Sequence, residues 1–180
     1  MMAFIFVGLR KSNSGRILVG SAYDTYSSPR TLIANSVIIQ IGDAVTINSI
    51  GNIALHTAGD PVFGIVAAVG KNGIQVDPDS GTTDVWTVEG DNLTDKQLYA
   101  IVDVSQDSIY SAAVTGTIGT TAASGRSMAY IDATDENDLS ETSATRTRGT
   151  GGSFVTLGTD PQSATRLLCA INESQFVSAT

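Results

Sequence analysis

One cysteine and one histidine are all that this 180-residue chain offers to thiol, imidazole and soft-metal chemistry. Cys169 alone cannot make an internal disulfide or a multi-cysteine zinc or iron-sulfur site, and a lone thiol suits a reducing cytoplasm. It sits in the apolar run Leu167-Leu168-Cys169-Ala170-Ile171, which predicts a small buried hydrophobe and not a nucleophile. His56 would have to serve any Ser-His-Asp or Cys-His arrangement, and the chain has no Gly-x-Ser-x-Gly elbow. On a strand over residues 53–56 it falls opposite Ile53 and Leu55, which predicts an exposed strand histidine. Common histidine-based zinc sites lack partners here, and no cofactor is expected.

Basic charge is also scarce: 10 Lys+Arg against 18 Asp+Glu give −8, which disfavours a protein built to hold nucleic-acid phosphates. Long apolar runs are absent. The opening Met1-Met2-Ala3-Phe4-Ile5-Phe6-Val7-Gly8 is too short for a membrane span. Arg10 and Lys11 follow it where a secretory signal would have them precede, so no membrane partner and no export are expected. Helical signals are few as well: Thr94-Asp95-Lys96-Gln97 has capping-box spacing, but the run after it alternates and gives the box no amphipathic helix.

What the chain does contain is short Val-, Ile- and Thr-rich runs punctuated by Gly, Asp, Asn and Pro, the texture of strands and turns. Residues 37–41, 44–50, 53–56 and 62–69 read as successive strands, with Gly70-Lys71-Asn72-Gly73 as a hairpin loop into Ile74-Gln75-Val76. Leu98, Ala100, Val102 and Val104 alternate with Tyr99, Ile101 and Asp103, the period of a sheet with one more buried face. Residues 85–88, 128–131, 154–157 and 166–171 are further strands. The fold class that follows is all-β, a compact barrel or sandwich.

Charge divides this chain. Residues 1–34 carry +3 and the remainder −11, and the leader is broken by Ser12-Asn13-Ser14-Gly15 and Ser27-Ser28-Pro29. Residues 1–34 therefore read as an extended basic arm on a domain spanning 35–180. Within that domain residues 132–152 have Leu139 as their only large aliphatic side chain and read as a polar surface excursion.

Searches for chemistry return little. Residues 64–71 miss phosphate-loop spacing by one, with Asn72 where Ser or Thr should hold magnesium. Asp77-Pro78-Asp79-Ser80-Gly81 starts like a calcium loop, but Gly81 comes one place early and Val88 stands where the bidentate Glu belongs. Asp132, Asp135, Glu136, Asp138 and Glu141 read as hydrated surface, with calcium the minority alternative. Trp86, Tyr99, Tyr110 and Tyr130 read as packing aromatics before a sugar platform. In the leader, Phe4, Ile5, Phe6 and Leu9 are apolar beside Arg10, Lys11 and Arg16. That pattern suits docking on an acidic protein surface, or equally a first strand that pairs within its own sheet.

Asn35-Ser36-Val37-Ile38-Ile39-Gln40-Ile41-Gly42-Asp43-Ala44-Val45, a glycine-bounded strand, then Gly59-Asp60-Pro61-Val62-Phe63-Gly64-Ile65-Val66 resembles the opening of tailed-bacteriophage head decoration, or cement, proteins. Asp91-Asn92-Leu93-Thr94-Asp95 before the alternating run, and Gly158-Thr159-Asp160-Pro161 before the last strand, look like later parts of the same order. The resemblance implies a small β-barrel-like virion protein, often a homotrimer, assembled in the host bacterial cytoplasm. Its partner would be the major capsid protein, whose outer surface it strengthens against genome pressure. Phe4, Phe6, Leu9, Arg10, Lys11 and Arg16 are then the expected capsid contacts, and no catalysis is expected. The competing readings are a receptor- or glycan-binding head or tail fibre module, and a hydrolase using carboxylates such as Asp43, Asp60 or Asp103.

Overall fold

The computed structural model describes residues 4–10, 18–19, 33, 37–49, 52–71, 74–75, 85–87, 98–119, 130–133, 138–145 and 152–172. Every regular element among them is a strand. In chain order these are β1 (Phe4–Leu9), β2 (Leu18–Val19), β3 (Ile38–Gln40), β4 (Ala44–Ile47), β5 (Ile53–Leu55), β6 (Gly64–Lys71) and β7 (Ile74–Gln75). They continue as β8 (Val85–Thr87), β9 (Leu98–Asp103), β10 (Ser108–Thr115), β11 (Tyr130–Ala133), β12 (Asp138–Thr145), β13 (Phe154–Thr159) and β14 (Arg166–Ile171). No helix among the described residues is long and apolar enough to cross a membrane.

Two sheets carry most of the fold. The first runs β1-β10-β12-β11-β13-β14, and β14 pairs back onto β10, so the ladder returns on itself. All its pairings are antiparallel except β10 with β12. β1 and β12 share one side of β10 in succession, β1 over residues 108–112 and β12 over residues 113–115. The second sheet runs β2-β9-β6-β4-β5, with β7 on β6, and β3 pairs with β8 separately. The β6–β7 ladder matches Gly70 with Gln75 and Lys71 with Ile74, so the hairpin is present but Gly70 and Lys71, expected in its loop, are paired, and only Asn72 and Gly73 lie between the paired ends.

Two apolar cores follow from this pairing. One holds Phe4, Tyr110, Ile131, Leu139, Phe154, Leu167 and Ile171 from the first sheet with Ala44, Val62 and Ile65 from the segment spanning β4 to β6. The other holds Ile33, Ile39, Val45, Ile53, Phe63, Val66, Ala100 and Val102. The expected alternation of β9 is visible as Ala100, Val102 and Val104 in this second core. The opposite face is covered too: Ile101 packs against Ala68, and Asp103 is fully buried.

Three features go beyond the local sequence pattern. The described parts of residues 1–34 pair with the sheets, β1 with β10 and β2 with β9. Phe4 is buried and stacked on Phe154 with ring centroids 5.0 Å apart, β2 pairs with β9, and Ile33 is buried and bridges Ile53. Residues 132–152 contain β12, whose backbone pairs with β10 on one side and β11 on the other and whose Leu139 lies in the first core. Finally β10, which carries three partners, was absent from the sequence reading. Its inward positions are Ser108, Tyr110, Ala112 and Val114, too small and mixed to give a clear period of two.

Close packing between β6 and β9 requires glycine at one position. A Cβ built on Gly64 would lie 2.5 Å from the Asp103 carbonyl oxygen and 2.5 Å from Val102 Cγ1. Gly64→Ala should therefore lower stability by about 1–3 kcal/mol in urea unfolding. Gly59→Ala should cost about 1 kcal/mol, since Gly59 has φ 88° but open space around it. Equal effects at the two positions would contradict the packing.

Candidate functional site

The most exposed apolar side chains lie on β1. Ile5, Phe6 and Val7 are 42%, 37% and 56% exposed, and they are the only large hydrophobic residues so exposed among the described residues. The local sequence explains the arrangement. Phe4 points into the core, so Ile5 points out, and between Phe6 and Gly8 the register with β10 shifts by one. Val7 is the extra residue of that bulge and, two positions after Ile5, lies on the same outer side. The Phe6 ring meets Tyr110 edge-on at 6.1 Å, and Tyr110 itself is buried. β1 ends on half-buried Leu9 and exposed Arg10, whose N–H donates to the Asp107 carbonyl at 2.7 Å.

Of the residues expected to contact a partner, the structure places Phe6 and Arg10 on the surface, Leu9 half-buried and Phe4 in the core. Lys11 and Arg16 lie outside the described residues. Val7, the most exposed large hydrophobic side chain among the described residues, was not among the expected contacts, although its place two positions after Ile5 puts it on the outer side.

Beside β1 lies a groove of about 330 Å³ that runs to the hairpin between β13 and β14. Ile5, Val7, Pro161 and Leu168 form its apolar walls, and Ser111, Asp160 and Arg166 its polar end. The row Ile5, Ser111, Leu168 follows from the register across three strands. Ser111 donates its hydroxyl proton to Asp160 Oδ2 and accepts from Arg166 Nε at 2.9 Å, while Arg166 Nη2 donates to the Ser111 carbonyl at 2.7 Å. The Gln162 N–H donates to Asp160 Oδ1 at 2.8 Å. These two donors, with the Arg166 charge behind them, hold the Asp160 carboxyl below its ordinary value. Sequence reasoning met Asp160 only within the Gly158-Thr159-Asp160-Pro161 turn; its pairing with Ser111 spans 49 positions and left no local signal.

The carboxylates considered for hydrolysis are each engaged in a turn. Asp43 Oδ2 accepts from the Gln40 N–H at 2.7 Å, and Asp60 Oδ2 accepts from the Thr57 hydroxyl at 2.6 Å. Asp103 Oδ1 accepts from the Ser105 N–H at 3.0 Å and its Oδ2 from the Ser108 hydroxyl at 2.8 Å, which fixes the crossing from β9 to β10.

His56 is fully buried, a correction to its expected exposure. β5 stops at Leu55, but the His56 N–H donates to the Ala44 carbonyl at 3.0 Å in continuation of the β4–β5 register, so the side of the chain opposite Ile53 is covered here as well. Cys169 is buried in the first core, where burial pushes its thiol pKa up, as a packing role requires. Of the acidic cluster, Asp138 accepts from the Thr115 hydroxyl at 3.2 Å, and Asp135 and Glu136 lie outside the described residues. Among the described residues no three His, Cys, Asp or Glu side chains gather as a metal site. Trp86 pairs through its backbone with Ile39. Models of known families, curated proteins and solved structures give no match to this chain.

Asp103→Ala should lower stability by about 1–3 kcal/mol in urea unfolding, because it leaves the Ser105 N–H and the Ser108 hydroxyl without their buried partner. A change below about 0.5 kcal/mol would remove the structural role given to this carboxylate. Asp160 has its own pH signature. Its folded pKa is below the unfolded value of 3.8, so its contribution is full above that value and lost as pH falls through the folded pKa. The stability difference between the wild type and Asp160→Asn should be flat from about pH 5 to 8 and shrink below about pH 4, followed by urea midpoints.

Proposed function

We propose that this protein decorates the outer surface of a tailed-bacteriophage capsid, docking on the major capsid protein through the exposed face of β1. The observation that carries the reading is the run Ile5, Phe6, Val7, three neighbouring apolar side chains in solvent on a strand whose first residue is fixed in the core. Adjacent exposed hydrophobics do nothing for the isolated fold and are what a partner surface covers. The closed pairing of β10, β12, β11, β13 and β14 supports a small barrel as the rigid body behind that face. The order of glycine-bounded turns that resembles the decoration proteins supplies the class of partner.

Magnitudes favour a lattice over a single contact. Burying three half-exposed side chains gives on the order of 3 kcal/mol, too little alone for a lasting complex. A homotrimer would present three such faces at once, and linked contacts multiply occupancy without any stronger individual bond. The role is structural and non-catalytic, on the virion exterior, after assembly in the host cytoplasm.

Quantitative mass spectrometry of particles made by the genome carrying this gene should find the chain at a fixed lattice ratio to the major capsid protein. Its absence from particles would end the reading. Deleting residues 1–16 is a poor test because it removes Phe4 from the core, where Phe4→Ala alone should cost about 3–5 kcal/mol. Val7→Asp is the cleaner variant: unfolding within about 0.5 kcal/mol of wild type, but capsid occupancy reduced at least ~10-fold. Full occupancy by this variant would free β1 of the docking role.

A further inference from the structure

We propose that the groove between β1 and the β13–β14 hairpin receives one bulky uncharged apolar side chain, of leucine size or larger, from the protein docked along β1. This rests on the docking role of β1 and adds the chemistry of what docks. Ile5 and Val7 belong at once to the exposed face of β1 and to the wall of the groove, so a partner that covers the face also lies over the groove. Nine described residues line the groove, whereas a stable interface engages about 20–30 on each side, so it is far too small to seat a second copy. Its scale is that of a side chain.

The lining selects the class of side chain. Ile5, Val7, Pro161 and Leu168 form apolar walls, and the two charges at the other end answer each other. Asp160 accepts the Ser111 hydroxyl on one oxygen and the Gln162 N–H on the other, and the Arg166 charge acts on it as well. Arg166 in turn donates through Nε and Nη2 to Ser111. The polar end is therefore met from within. A lysine or glutamate entering the groove would shed water against the apolar walls and find no unanswered charge to replace it. Asp160 and Arg166 are each half-buried and keep contact with solvent, so a side chain seated on the apolar walls does not strand them. An apolar side chain gives up only unfavourable contact with water. Apolar walls beside a self-satisfied polar rim are the setting in which one anchor residue carries much of an interface's affinity.

The test uses the full chain and three ten-residue peptides of identical alternating valine-threonine frame, with leucine, alanine or lysine at the centre. In ¹⁵N-detected titrations the leucine peptide should bind about 10-fold more tightly than the alanine peptide and shift the Ser111, Gln162 and Leu168 amides. The lysine peptide should do no better than alanine, and the leucine preference should hold from about 0.05 to 0.5 M salt, because no charge is paired. A leucine peptide no tighter than alanine, or matched by lysine, would overturn the proposal, as would a preference that fades with salt. Leu168→Trp crowds the groove and leaves the exposed face of β1 in place. Once urea unfolding shows this variant folded, it should erase the leucine preference and lower particle occupancy about 10-fold. Undiminished occupancy would overturn the groove's role and leave docking by β1 standing. If the variant fails to fold, the peptide contrast on the wild type decides alone. Failure of the wild type to occupy particles would instead overturn the docking reading, and the peptides would still decide which side chain the groove accepts.

Discussion

The buried carboxylate of Asp103 is the constraint on which the two-sheet arrangement rests. Its backbone pairs with Ile65 of β6 on one side and Leu18 of β2 on the other, while its side chain reaches forward to Ser105 and Ser108. One residue thus completes the second sheet and sets the angle at which the chain enters β10. Because β10 carries β1, β12 and β14, an error in that angle would pass to every strand of the first sheet. The glycine at position 64 belongs to the same constraint, for it clears the space that the Asp103 carbonyl occupies. A buried carboxyl group satisfied by a backbone N–H and a hydroxyl costs desolvation, but it defines geometry that an apolar residue would leave loose.

A second tie joins the sheets at the turn over Gly42 and Asp43. Gly42 has φ 93°, which glycine adopts without strain, and its N–H donates to the Val66 carbonyl at 2.8 Å. Its carbonyl accepts the Phe4 N–H at 3.1 Å, and the Val66 N–H returns to the Asp43 carbonyl at 2.9 Å. The first residue of β1 is therefore bonded to the turn that opens β4, beside its stacking on Phe154. β1 is held where it enters the fold and displays its side chains only beyond that point.

Sequence read well wherever an element's signal was local. The β14 run of Arg166 to Ile171, the alternation of Ala100, Val102 and Val104, and the Asn72-Gly73 hairpin spacing each declare themselves within a few residues. It read poorly where identity depended on distant partners. β10 hides because small residues suffice where Phe4 and Leu167 flank its Ala112, and β12 hides because its sequence is rich in Ser, Thr and acidic residues while its pairing depends on β10 and β11. The leader's composition spoke for loose chain, yet Phe4 and Ile33 each find a core assembled by residues far along the sequence. Of the candidate site, Phe6 and Arg10 were visible as apolar and basic neighbours. Val7 was legible from its spacing of two from Ile5, whereas Asp160 needed Ser111 opposite it.

The same design gives β1 a mechanical meaning if it bears a partner. Binding to the native state alone stabilises that state by an amount set by ligand concentration over dissociation constant, and on a lattice the effective concentration is high. Phe4 and Val7 lie on one short strand, so a partner covering Val7 draws its stabilisation from a strand that the core already holds through Phe4. Little ordering entropy is then left to be lost on docking, which a disordered arm would have to lose in full. The coupling also runs in reverse: loosening Phe4 in the core would weaken docking at Val7 although Phe4 touches no partner. A pre-ordered strand with weak apolar contacts, repeated many times, stiffens an assembly more than a flexible tether of equal affinity, because load on the strand passes directly into the core behind it.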